Sequence, residues 1–262
     1  MFPTILNLYI ISQYVEKSMT IGWIYDIIFW SKNELLKSEN DMNRTTGEII
    51  KHALLAALGL ITFGVGCYIS IQANIGVAPW DTFTLGLSQT FGIQYGNASI
   101  AMSIIVLTVD IILKERIGIG TLLDAFLVGK TVDFLNWLDV IPKQENMLIG
   151  VVMMFVALVI MGFSQYLYMT AALCCGPRDS LIVALGRRTK KVPIGVISTS
   201  ILVVVLAIGW RLGGPVGVGT LIAAIFQGPI MQFAFHTMKF DATSVHHQNL
   251  LSSIRVITGK DK

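Results

Sequence analysis

Charge is scarce in this chain. Of its 262 residues only 13% are Asp, Glu, Lys or Arg, while 54% are hydrophobic. A soluble domain carries about one-quarter charged residues, so a water-soluble globule is excluded and a lipid-facing chain is expected. Cysteine is scarce too. Cys67 falls inside an apolar span, and Cys174 and Cys175 are adjacent with no His or Cys at ligand spacing. That excludes a disulfide framework and a zinc site, and small apolar packing is the expected role. Of the four histidines, His246 and His247 lie side by side in a polar tail. Neighbours on a helix point about 100° apart, so no metal is expected there.

Several motifs are missing as well. The chain has no Walker loop, no Gly-x-Ser-x-Gly and no His-Glu-x-x-His, and its Gly-x-Gly pairs lack the strand and spacing of a nucleotide fingerprint. An ATP-driven engine within this chain is excluded. No nucleophile–base set is visible, so neither an enzyme nor a cofactor is expected. The net charge of +3 comes from basic residues scattered between apolar spans. The bilayer, not nucleic acid, is the partner this implies.

What the chain has is an internal copy of itself. Gly76-Val-Ala-Pro-Trp-Asp-Thr-Phe-Thr-Leu-Gly-Leu87 returns as Cys175-Gly-Pro-Arg-Asp-Ser-Leu-Ile-Val-Ala-Leu-Gly186, with Pro79 and Asp81 matching Pro177 and Asp179. Gly118-Ile-Gly-Thr-Leu-Leu123 returns as Gly217-Val-Gly-Thr-Leu-Ile222. The offsets are 98 and 99 residues. Two ordered pairs, one residue out of step, identify a duplicated unit of about one hundred residues.

The chain therefore divides into an extension (1–46), a first membrane repeat (47–142), a second (143–240) and a polar cytoplasmic tail (241–262). The apolar runs of the extension are broken by Glu16, Lys17 and Asp26 and are too short to span. It reads as an interfacial segment, or as a non-native start ahead of Met42. Apolar spans are expected at 53–71, 98–113, 118–138, 147–172, 193–210 and 217–238.

The segments opened by Pro79 and Pro177 are too short to cross, so each is expected to be re-entrant or a broken helix. The expected fold is all-α and polytopic: two three-span repeats in inverted topology. With the N-terminus inside, Lys32, Lys37, Arg44, Lys51, Lys114, Arg116, Arg187, Arg188, Lys190, Lys191, Lys239 and Arg255 are cytoplasmic, and only Lys143 and Arg211 lie outside. That bias follows the positive-inside rule and puts both termini in the cytoplasm. The alternative, eight spans with parallel repeats, sends Lys114, Arg116 and Arg178 outside.

Inverted repeats with broken helices are a transporter design, with half-helix N-termini near the midplane. Pro79 and Pro177 suit a first helical turn. Asp81 and Asp179 then either satisfy the helix dipole or line a solute path. Gly118, Gly120 and Thr121, and Gly217, Gly219 and Thr220, read as helix starts in close backbone contact. The departures from the duplication carry more information. Trp80 is replaced by Arg178, and Asp124, Lys130 and Asp133 align with Ala223, Pro229 and Gln232. Ionisable groups inside a span are costly and face protein or water. Asp124, Lys130, Asp133 and Asp110 thus line a polar path, or Lys130 and Asp133 form a neutralised pair near an interface. Arg178 at a helix start suits an anionic group or an interfacial anchor.

Ala78-Pro-Trp-Asp-Thr82, Gly118-Ile-Gly-Thr121, Gly176-Pro-Arg-Asp-Ser180 and Gly217-Val-Gly-Thr220 resemble the bacterial YczE/YyaS/YitT membrane proteins, nearest the YczE branch, over about 53–235. The resemblance implies a multi-pass protein of the bacterial plasma membrane and brings no established substrate. The inverted repeat, the two broken segments and the charges within the third span make a permease for a small solute the expected function. A second expectation follows from that branch: a non-transport scaffold supporting biosynthesis or export of a secondary metabolite such as a lipopeptide. A homo-oligomer or a protein partner fits either.

Overall fold

The structure, a computed structural model, describes residues 46–113, 119–171, 176–189 and 194–240. Expectations for the extension, for Gly118, for Cys174 and Cys175 and for the tail lie outside these residues. The chain divides between Asn43 and Arg44, and every described residue belongs to the second unit.

Eight helices account for the regular structure among the described residues. They are α1 (Thr46–Gln72), α2 (Pro79–Phe91), α3 (Tyr95–Ile112), α4 (Ile119–Leu138), α5 (Met147–Thr170), α6 (Pro177–Arg188), α7 (Ile194–Arg211) and α8 (Val218–Thr237). The six expected spans correspond to α1, α3, α4, α5, α7 and α8 with small shifts at their ends. Four of these, α1, α3, α5 and α8, are long and apolar enough to cross a membrane. The 20-residue α4 carries Asp124, Lys130 and Asp133, and α7 is apolar only from Val196 to Arg211. At 1.5 Å per residue the 13-residue α2 extends about 20 Å. A hydrocarbon core is about 30 Å thick, so α2 and the 12-residue α6 are each shorter than a full crossing. Outward faces of the long helices carry Leu54, Ile105, Val152, Val203 and Phe233, all exposed. Such faces aggregate in water and suit lipid.

The two halves repeat one another in helix order and length. The central pair is α1 on α5, running antiparallel. His52 Nδ1, near the start of α1, lies 3.0 Å from the Ala171 carbonyl just past the end of α5. At the other end, Gln144 N–H donates to the Gln72 carbonyl (2.9 Å), and Tyr68 O–H and the Ile141 backbone exchange two bonds (2.9 and 3.1 Å). These bonds tie the 139–146 linker to α1. Against this pair lie α4, on α1, and α8, on α5. The seams match. A Cβ on Gly64 would lie 2.8 Å from Thr131 Cβ in α4, and one on Gly162 would lie 3.3 Å from Ile230 Cγ2 in α8. Each short helix packs on the other half, α2 on α7 and α6 on α3.

One pairing has no counterpart. In the first half α3 and α4 pack closely: a Cβ on Gly129 would lie 2.8 Å from Gly96 Cα. Among the described residues the corresponding helices α7 and α8 are not one of the closely packed pairs, and a Cβ on Gly228 would meet nothing within 4 Å.

Candidate functional site

Both short helices begin alike. Ala78 (φ −57, ψ 152) and Gly176 (φ −59, ψ 161) precede Pro79 and Pro177, and neither start has a side-chain cap. Proline at the first helical position has no N–H to leave unpaired. The two starts converge on one cavity of about 310 Å³, bounded by Pro79 and Trp80 from one and Gly176 and Arg178 from the other. Ser99 and Ser103 of α3, Asp124 of α4, and Gln165 and Tyr168 of α5 also face it. Small-molecule sites run from about 300 Å³ upward, so this one suits a small solute.

The internally matched residues Trp80 and Arg178 meet here. The Arg178 guanidinium carbon stands 5.4 Å from the Trp80 ring centroid, a cation–π contact. Behind Trp80, Asp81 is 1% exposed. Its Oδ1 accepts from Tyr95 O–H (3.0 Å) and lies 3.9 Å from Arg178. The second distance is an ion pair, longer than a hydrogen bond. Asp124 presses on the start of α6, since a Cβ on Gly176 would lie 3.0 Å from Asp124 Oδ2. In the matching corner of the other half, Ala78 and Ala223 pack with Met154 and Leu158. This corner is apolar. Its partner gives up a methyl group and gains a carboxylate.

Lys130 and Asp133 are placed elsewhere. Asp133 Oδ1 accepts from Gly96 N–H in the first turn of α3 (2.8 Å), and Lys130 Nζ bonds Asn97 Oδ1 (2.9 Å) and pairs with Asp133 (3.6 Å). A carboxylate there answers the positive end of the α3 dipole. Asp133→Ala is expected to cost about 1–2 kcal/mol and Asp133→Asn less, measured as a fall in unfolding temperature in detergent. Asp110 is buried on α3, outside the cavity lining. Thr121 and Thr220 are buried near the starts of α4 and α8. Thr220 Oγ1 accepts from Gly217 N–H (3.2 Å), and Gly219 N–H donates to the Ile75 carbonyl (2.7 Å). The side chain of Asp179 lies outside the described residues.

Residues 50–236 match DUF6198, a family of unknown function. The chain belongs to this family. It is 31% identical over 180 residues to the uncharacterised membrane protein YczE of Bacillus subtilis, covering 68% of this chain and 82% of that one. An uncharacterised protein of Haemophilus influenzae is 29% identical over 180 residues (69% and 80%), and YyaS of Bacillus subtilis is 27% identical over 179 (66% and 87%). No solved structure matches. The resemblance to the YczE and YyaS proteins is thereby established, and with it a membrane protein.

In this DUF6198 chain several site residues escaped the sequence reading. Tyr95, Ser99 and Ser103 stand four apart on α3, and Gln165 and Tyr168 three apart on α5. Polar side chains at i, i+4 inside an apolar span share a face, and that spacing was the available signal.

Proposed function

We propose that this chain is a secondary transporter or permease for a small solute, without catalytic chemistry of its own, in the bacterial plasma membrane. One observation carries the reading: two uncapped short helices, matched by internal duplication, start at the wall of one cavity among membrane helices, with Ser99, Ser103, Asp124, Gln165 and Arg178 in its lining. Backbone of this kind is tolerated at membrane depth only where it is buried in protein or lines such a cavity. The antiparallel run of the matched helices α1 and α5 supports inverted repeats. So does the cytoplasmic excess of Lys and Arg, which puts both termini inside. Six crossings, with α4 and α7 included, then complete two three-span halves.

The test is a solute screen by thermal unfolding of the purified full chain, followed by uptake into proteoliposomes. A ligand at one hundred times its Kd adds about 2.7 kcal/mol of stability, a readable shift. Ser103→Phe fills the cavity and is expected to abolish both the shift and the uptake. If no solute stabilises the chain while a co-purifying protein does, transport gives way to an accessory role in biosynthesis or export.

A further inference from the structure

We propose that the cavity takes a zwitterion of amino-acid type, its carboxylate on Arg178 and its ammonium group on Asp124. The inference rests on the transport reading and narrows it. Two departures from the internal duplication bring charge into the cavity wall, and they are opposite in sign: Arg178 where the first half has Trp80, and Asp124 where the second half has Ala223. Each is accommodated by its surroundings. Trp80 supplies an aromatic face under the guanidinium, and Gly176 leaves room for the carboxylate. Asp81 is turned toward Tyr95 and held 3.9 Å from Arg178, so the guanidinium is only loosely engaged from behind.

A solute of one sign would set a like charge against one wall, among protein groups that screen it less than bulk water does. A zwitterion meets both walls with opposite charge. Guanidinium suits a carboxylate because its planar fork matches two oxygens. Ser99, Ser103 and Gln165 supply uncharged donors and acceptors around the middle.

The experiment is thermal unfolding of the full chain with L-serine, L-glutamine and L-phenylalanine, each beside its N-acetyl and its C-amide form, with choline and acetate as single-charge probes. At least one free amino acid is expected to bind, and blocking either end should weaken binding at least tenfold. Arg178→Gln should remove the preference for a free carboxylate, and Asp124→Asn the preference for a free amine. Binding of choline or acetate without any free amino acid overturns the zwitterion and leaves the transport reading standing. Equal binding of free and blocked forms does the same. No shift with any probe overturns the zwitterion, and uptake of some other solute then decides the transport reading separately.

Discussion

Arg178→Ala is expected to destabilise the folded chain by about 3–5 kcal/mol, the usual cost of stripping the partner from a buried charge. Asp81 is 1% exposed, and Tyr95 O–H donates to its Oδ1 at 3.0 Å. Removing the guanidinium leaves a carboxylate in a low-dielectric interior with one neutral donor to hold it. It also uncovers the Trp80 face. Asp81→Asn in the same chain removes the orphaned charge and keeps an acceptor for Tyr95. The double variant should therefore recover most of the loss, and the cycle should show coupling of about 1–3 kcal/mol. Unfolding in detergent measures all four proteins. Additive losses would mean that the 3.9 Å approach of Arg178 to Asp81 contributes no stability, and that Arg178 serves the cavity alone.

Gly76→Val is expected to cost about 4 kcal/mol or more, the range of core overlap combined with backbone strain. Gly76 sits at φ +96, where a side chain is strained in any surroundings. Its Cβ would also press on the Gly217 backbone and stand 2.8 Å from Thr220 Oγ1. The linker from α1 to α2 runs backbone on backbone over the start of α8. Gly219 N–H, a donor with no partner inside its own helix, is satisfied there by the Ile75 carbonyl at 2.7 Å. A side chain at Gly76 separates these backbones and breaks that bond. Gly92→Ala is the control. It is left-handed too (φ +62), but a Cβ there meets nothing within 4 Å, so only the backbone cost of about 1–2 kcal/mol should appear. Equal losses at the two positions would show that conformation, not the contact with α8, sets the cost at Gly76.

The start of α8 shows how far sequence reasoning reaches. Gly217-x-Gly-Thr was readable as a helix start in close contact because paired small residues beside a threonine serve little else in an apolar chain. Which backbone makes that contact was not readable, since Ile75 and Gly219 are 144 residues apart. Lys130 and Asp133 make the same point from the other side. Their spacing announced a pair on one face of α4, but whether that face meets a cavity or the first turn of α3 depends on how the two helices cross. The hydrogen bond to Gly96 N–H decides it.

By itself the sequence determined the membrane class, the helical content, the duplication and the two short proline-led segments. Each is a local or periodic property, carried by hydropathy, spacing and internal matching. Only the tertiary structure decided that both short helices start at one cavity, that Trp80 lies under Arg178, and that Asp124 occupies the space a methyl group at Gly176 would crowd. Those are meetings of residues 52 to 98 positions apart. Their geometry is set by how α1, α4, α5 and α8 pack, and no local pattern encodes it.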